Sequence, residues 1–476
     1  MTNSFVRAMN ATATTTNGMP ALHTTLNSCV DLFFKIGASR GNFKSLVPII
    51  DKAIVEDMDT TIRILLQARD IREGAGERQI FKDAIKHLFA SGQIDVHIGN
   101  RIANLVPTLG RWDDLFAFFD TPSETYVLQM IDDALIEKRD GLCAKWMPRE
   151  KNNPKIAKKI MDYIGISPRA YRKHLVELTS VVETQMCENK WTDINYGHVP
   201  SVASARYQKA FGRHDTAGYV KYLESLKKGE AKINAAAVYP YDIVKSVRWG
   251  NTTAANEQWK ALPDWLEGDD SRTVPIVDVS GSMQNWAYNI KPRNYSPLDV
   301  AISIGIYLAE RSKSDAFKDV CITFSDNPRF QQIKGTLIQR VKGIMHNDWG
   351  MSTNLEAVFN LVLGQATKYK VAPEDMPNRL IILSDMQFNQ CVKGKGRTAH
   401  EMIKHKYEKA GYTIPQVVFW NINAADNVPV AFDEMGTALV SGCSPSIMKA
   451  VIKADVDNFT PESIMKKAVM IERYNW

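Results

Sequence analysis

The chain has 476 residues, 45% apolar and 24% charged, which is enough for two or three packed domains of ordinary composition. No apolar run reaches the roughly 18 residues of a membrane span, so no membrane protein is expected. Six scattered cysteines without a CxxC pair argue against a disulfide framework or zinc ribbon and for a reducing, cytoplasmic setting. The net charge of +6 lies wholly in the first half: residues 1–250 hold 34 Lys and Arg against 28 Asp and Glu, and residues 251–476 hold 25 of each. An anionic partner would therefore meet the front of the molecule.

Residues 1–30 form an N-terminal arm with no acid, one Arg (Arg7) and many Thr. They lack the apolar core of a secretory signal and the repeated Arg of a transit peptide, so no targeting role is expected. Helical spacing follows to about residue 240. Leu46–Ile50 leads into Ala53–Val55 and Ile62–Leu66, then Ile80-Phe81 with Ile85 and Leu88, and later Val127-Leu128 with Ile131 and Leu135. Breaks such as Gly74-Ala75-Gly76 and Pro122-Ser123 separate segments of roughly 12–18 residues. The spacing predicts a HEAT-like α-helical array over 31–265, stacked in antiparallel pairs, although no strict repeat aligns.

The densest basic stretch runs from Cys143 to Lys173. Lys145, Arg149, Lys151, Lys155, Lys158, Lys159, Arg169, Arg172 and Lys173 face only two acids, Glu150 and Asp162, with Trp146, Tyr163 and Tyr171 interleaved. Cations neutralise phosphates and aromatic faces stack unpaired bases, so these nine residues are candidate RNA contacts; a solvated helix face with Trp146 in the core is the alternative. Earlier in the chain, Arg72 and Arg78 flank the Gly74–Gly76 turn and Arg111 precedes Trp112-Asp113-Asp114. All three Arg are further candidate phosphate contacts, with an Arg72–Glu77 ion pair as the competing reading. Trp112, Asp113 and Asp114 read as an anchor and acids for a helix start.

Near Pro263–Ser271 the pattern changes, and Glu267-Gly268-Asp269-Asp270 reads as an exposed linker. Apolar runs at Thr273–Val277, Val320–Phe324, Leu380–Leu383 and Gln416–Trp420 alternate with helix-period stretches at Val300–Ala309, Leu355–Leu363 and Ala399–Ala410. That alternation predicts an α/β domain with a parallel sheet over 266–476. Its first strand ends in Asp278-Val279-Ser280-Gly281-Ser282. Ligands of open parallel sheets bind at the carboxyl ends of strands, and an Asp with two alternate hydroxyls offers three oxygens to a hard cation such as Mg²⁺ or Mn²⁺. Thr353, at a helix start, and Asp385, closing another apolar strand, complete a candidate metal set. A turn capped by Asp278 and the two Ser is the plainer alternative. Asp326 is either a further acid near the rim or a turn residue. The insertion Gln284–Tyr295, with three aromatics and two cations, either covers the metal or packs as a surface loop.

The set Asp278, Ser280, Ser282, Thr353, Asp385 resembles the DxSxS…T…D pattern of the metal-ion-dependent adhesion site in von Willebrand factor A domains. That resemblance implies a Rossmann-like domain in which both Ser and the Thr bind the metal directly, the Asp residues act largely through water, and a partner's acidic group completes the shell. A helical array joined to such a domain is similar to the Ro autoantigen, or TROVE, architecture, through Arg69–Arg78 and Gly110–Leu115. It implies a ring of HEAT-like helices that grips single-stranded RNA ends or small structured RNAs and is closed by the A domain. Lys145–Arg149, Tyr171–Lys173 and Trp349–Asn354 look closer still to an uncharacterised family with plant, fungal and viral members of the same build.

The chain lacks GxxxxGK[ST], HExxH and GxSxG, and Lys393–Arg397 is a basic loop without a phosphate-binding strand turn. Two carboxylates are fewer than a two-metal nuclease uses. The expectation is a non-catalytic, monomeric RNA-binding protein with a Mg²⁺-binding A domain. The alternative is a metal-dependent protein-interaction scaffold without RNA.

Overall fold

The computed structural model describes residues 12–179, 181–235, 237–248, 252–284, 296–324, 327–345, 353–389, 399–423, 427–454 and 456–476. It opens on a small hairpin, β1 (Thr12–Thr14) antiparallel to β2 (Pro20–Leu22), with Ala13 opposite Ala21. Helix α1 (Ser28–Ile36) begins where the Asn27 side chain accepts the Val30 amide, and all nine of its residues are buried. A helix enclosed on every side needs partners on every side. It packs on α2 (Phe43–Glu56) and α3 (Met58–Arg69) and also on the C-terminal half.

The array continues through α4 (Arg78–Ala90), α5 (Val96–Leu109), a 3₁₀ segment at Trp112–Phe118, α6 (Glu124–Asp132), α7 (Gly141–Trp146), α8 (Pro154–Ile164) and α9 (Pro168–Leu178). Polar side chains at other positions cap several of its helices, whereas Ser123, in the expected break Pro122-Ser123, makes no side-chain cap. The side chains of Asp57, Asp95, Asp140, Asn153 and Ser167 each accept an amide of the helix that follows, and Pro154 and Pro168 open α8 and α9. Helices α10 (Val182–Cys187), α11 (Ser201–His214) and α12 (Thr216–Lys227) surround a separate cluster of Tyr196, Phe211 and Tyr219. Then α13 (Pro240–Arg248) and α14 (Thr252–Lys260) rejoin the main core.

The C-terminal half is a six-stranded mixed sheet in the order β5-β4-β3-β6-β7-β8, formed by β3 (Thr273–Val277), β4 (Val320–Thr323), β5 (Phe330–Gln332), β6 (Arg379–Ser384), β7 (Gln416–Asn421) and β8 (Thr437–Ser441). All neighbours are parallel except β5, antiparallel to β4 at the edge. Every residue of β3 and β6 is buried, as expected of central strands covered on both faces. The order reverses between β3 and β6, which pair with Ile276 opposite Ile382. The helices of this half are α15 (Pro297–Arg311), α16 (Leu337–Met345), α17 (Leu355–Tyr369), α18 (Ala399–Lys409), α19 (Met448–Ile452) and α20 (Pro461–Val469). The chain is thus a helical half followed by an α/β half, and among the described residues no helix is long and apolar enough to cross a membrane.

One apolar core runs through both halves. Helix α1 packs on β8 and on α20, and α13 packs on α15. The expected exposed linker at Glu267–Asp270 is therefore only partly exposed. Asp269 is buried and meets Arg379 at 3.2 Å, and the preceding Trp265 and Leu266 belong to the shared core. The acidic run hides this from a local reading because its counter-ion lies on β6.

Candidate functional site

Strands β3 and β6 deliver the two acids of the candidate metal set. Asp278 directly follows β3; its amide donates to the Leu383 carbonyl at 3.0 Å, extending the strand pairing by one residue. Its fully buried carboxylate accepts the Ser280 amide at 2.9 Å and the Ser384 hydroxyl at 2.5 Å. The hydroxyls of Ser280 and Ser282 lie 3.0 Å apart, and Ser282 also hydrogen-bonds Asp385. Asp385 accepts the Gln387 amide at 3.2 Å. These contacts gather Asp278, Ser280, Ser282 and Asp385 at the carboxyl ends of adjacent strands, beside the reversal of strand order. Thr353 is buried, and its carbonyl accepts the Asn389 amide at 3.0 Å, which ties it to the loop that follows Asp385.

Burial and the charge of Asp385 push the Asp278 carboxyl up to about 6, although Ser384 and Ser280 donate to it. Burial likewise raises Asp385, against the donors Ser282 and Gln387. Among the described residues neither acid has a Lys or Arg ion-pair partner, and no three His, Cys, Asp or Glu side chains form a metal-holding group. Two carboxylates held above their ordinary range, with hydroxyls beside them and no counter-ion, are a donor set suited to a hard divalent cation bound largely through hydroxyls and water. Ser384 belongs to this site although no motif in the sequence singles it out; its position at the end of β6, directly before Asp385, is the available signal. Met386, next in the chain, holds φ of +62°, a left-handed conformation that is costly for a non-glycine residue.

The candidate RNA-contacting cations have varied surroundings. Lys155 and Lys159 each donate to Asp120 at 2.7 Å, and Lys159 also reaches Glu124. Arg172 pairs with Glu150. Arg149 is half-buried beside Tyr171, whose hydroxyl donates to the Pro148 carbonyl at 3.2 Å. Trp146 is half-buried with the Arg111 guanidinium 3.7 Å above its ring and Lys145 at 5.6 Å. Tyr171 is buried, which leaves Tyr163, 40% exposed, as the open aromatic of the stretch. Lys151, Lys158, Arg169 and Lys173 are exposed and have no ion pair among the described residues.

Arg78 pairs with Asp113 and Asp114, and Arg111 pairs with Asp113 at 3.1 Å while its amide donates to Asp114. Asp114 is fully buried with Arg69. Burial raises its pKa, but Arg69, Lys82 and Arg78 outweigh that and leave the carboxyl below its ordinary value. Arg72 donates to the Thr108 carbonyl at 2.8 Å, whereas Glu77 pairs with Arg40 at 2.5 Å, so the competing reading of an Arg72–Glu77 pair gives way to these two contacts. The loop between α3 and α4 is a junction: Gly76 adopts φ of +71°, the Ser446 hydroxyl donates to the Gly74 carbonyl at 3.1 Å, and a Cβ on Gly76 would lie 1.7 Å from the Tyr239 hydroxyl. Its glycines admit the neighbouring chain segments as well as turning the loop.

The insertion Gln284–Tyr295 beyond Gln284, Asp326, Trp349–Ser352 and the basic cluster Lys393–Arg397 lie outside the described residues.

Residues 15–92 and 116–270 match a domain of unknown function (DUF2828), and residues 272–472 match a second domain of unknown function (DUF7788). Across both, the chain is similar to the uncharacterized protein L728 of Acanthamoeba polyphaga mimivirus, with 30% identity over 506 aligned positions that cover 95% of this chain and 86% of the viral protein.

Proposed function

The chain belongs to the family of the mimivirus protein L728, and from that premise we propose that it is a non-catalytic binding protein whose C-terminal domain uses a divalent cation, Mg²⁺ or Mn²⁺, to capture an acidic group of a protein partner. The observation that carries this reading is the grouping of Asp278, Ser280, Ser282 and Asp385 at adjacent strand ends, with both carboxyls raised and lacking a counter-ion among the described residues. Asp278, Ser280, Ser282, Thr353 and Asp385 would hold the cation. When bound, it supplies a positive centre with open positions for a carboxylate. The von Willebrand A likeness, the HEAT-like array and the Ro-like ring belong to this reading, and the packing of both α1 and α13 on the α/β half supports the ring. A monomeric state and a cytoplasmic location are also part of this proposal. Calorimetric titration of Mn²⁺ into the full-length protein tests it: binding is expected in the wild type and lost in Asp278→Ala and Ser280→Ala.

A second reading, RNA binding by the helical half, is favoured by the four exposed cations Lys151, Lys158, Arg169 and Lys173 near and along α8 and α9, which no acid of the described residues neutralises. Most other candidate cations meet internal acids, which is why the cation site leads.

A further inference from the structure

We propose that the N-terminal hairpin, residues 12–22, is a strap that positions the cation site by holding the loop after β6; this rests on the metal reading above. The strap and the loop are more than 360 residues apart in sequence and are joined by one backbone bridge and several side-chain hydrogen bonds. The Thr15 hydroxyl donates to the Phe388 carbonyl at 2.6 Å and accepts the Met19 amide at 2.9 Å. The Thr16 amide donates to the Gln387 side chain at 2.9 Å, the Asn17 side chain donates to the Gln387 carbonyl at 2.7 Å, and Gly18 bridges Asn389. The other end of the hairpin is fixed as firmly: Leu22 and Val428 exchange both backbone hydrogen bonds, and the Asn427 side chain donates to the Thr14 carbonyl at 3.0 Å.

Two of the three residues the strap grips, Gln387 and Asn389, also hold the candidate ligands, and Phe388 lies between them. The Gln387 amide donates to the Asp385 carboxylate, and the Asn389 amide donates to the Thr353 carbonyl. Between the acid and the gripped residues sits Met386 in its left-handed conformation. Such a conformation persists where the surroundings over-determine it, and the strap supplies that constraint from outside the loop. Residues 12–22 contain no Asp, Glu, His or Cys, so the strap adds no carboxylate, imidazole or thiolate to the site. Thr15 and Asn17 are therefore positioning residues. Partners that orient metal ligands without touching the metal commonly change affinity by about 10–100-fold when removed.

The experiment uses the full-length protein with Thr15→Val, Asn17→Ala, the double variant, and Thr15→Ser as the conservative control. Mn²⁺ affinity is read by calorimetry, and amide hydrogen exchange over residues 386–389 is read in EDTA. The double variant is expected to bind about tenfold more weakly and to exchange the Met386 and Asn389 amides faster, while Thr15→Ser retains both properties. Asn17 is exposed, so its single variant gives a smaller loss of the same sign should the double variant fail to fold. Wild-type affinity in a variant whose exchange is also unchanged overturns the strap and leaves the metal reading standing. Absence of Mn²⁺ and Mg²⁺ binding by the wild type overturns the metal reading, and with it the role of the strap as an aid to cation binding.

Discussion

Asp278 and Asp385 close two hydrogen-bonded neighbours, β3 and β6, as buried carboxylates; the charge of the second raises the proton affinity of the first, and neither has a basic side chain paired to it among the described residues. Like charges confined in a poorly polarisable site are stable only when protonated or neutralised by a cation.

The first prediction follows from that pair. With its folded-state carboxyl near 6 and an ordinary value of 3.8, Asp278 contributes stability that is present below pH 4 and lost as pH rises through about 6. At pH 7 in EDTA, Asp278→Asn should therefore melt higher than the wild type, by on the order of 1–3 kcal/mol, and should lack the decline between pH 4 and 6. Saturating Mg²⁺ should raise the wild-type midpoint and leave the Asn variant where it was. Thermal unfolding with and without the cation measures both, and a wild type indifferent to Mg²⁺ would count against the site.

A second prediction separates structural from exposed cations. Arg69 and Asp114 form a buried pair with Lys82 and Arg78 at its edge. Removing Arg69 takes away the buried partner of Asp114 and leaves it only Lys82 and Arg78 at the edge, so Arg69→Met should cost about 3 kcal/mol in urea unfolding. Arg78→Ala, whose side chain is 42% exposed, should cost about 1 kcal/mol.

The basic stretch gives a third. Lys155→Glu or Lys159→Glu would set a new carboxylate against Asp120 and Glu124, so loss of RNA affinity in those variants would mix folding with binding. Lys158→Glu, Arg169→Glu and Lys173→Glu together avoid that problem. If the helical half binds single-stranded RNA, the triple variant should bind more weakly at every salt concentration. Its salt dependence should also flatten, by about 0.7 in log–log slope for each phosphate that is no longer neutralised. Unchanged affinity in fluorescence titrations with a short RNA would remove the second reading.

These cases show what local sequence carries. The buried runs at Thr273–Val277, Leu380–Leu383 and Gln416–Trp420 become β3, β6 and β7 within one residue at either end, because uninterrupted apolar runs have few other uses in an α/β domain. Three-residue strands carry no such signal, so β1, β2 and β5 are invisible in the sequence, and β8, five residues between turns, escapes the same reading. In the candidate site, Asp278, Ser280 and Ser282 are legible from their spacing, whereas Ser384 needs the pairing of β3 with β6 to reveal its hydrogen bond to Asp278. For the cations, residue order shows charge but not company. Asp120 stands 35 residues before Lys155, and only the packing of α6 against α8 brings them together.

The fourth prediction concerns the contact between the halves. A Cβ on Gly37 would lie 2.7 Å from the Gly442 Cα and amide nitrogen and 2.8 Å from the Ser441 carbonyl carbon, all backbone atoms, and Gly442 itself holds φ of +107°. The surroundings are tied in place: the Gly37 amide donates to the Ser441 hydroxyl at 3.0 Å, that hydroxyl donates to the Phe33 carbonyl at 2.8 Å, and the Asn421 side chain donates to the Phe34 carbonyl at 3.2 Å. Neither partner can yield by rotating a side chain, so Gly37→Ala must move α1 off the end of β8 and should cost about 1–3 kcal/mol. Gly364 is the matched control. It lies inside α17, nothing stands within 4 Å of an added Cβ, and Gly364→Ala should stabilise by up to about 1 kcal/mol through helix propensity. Urea unfolding followed separately by the near-ultraviolet signal and by helix content distinguishes the two. Gly37→Ala should split the transitions of the helical and α/β halves, because the contact it breaks is part of their shared core, whereas Gly364→Ala should shift a single transition upward.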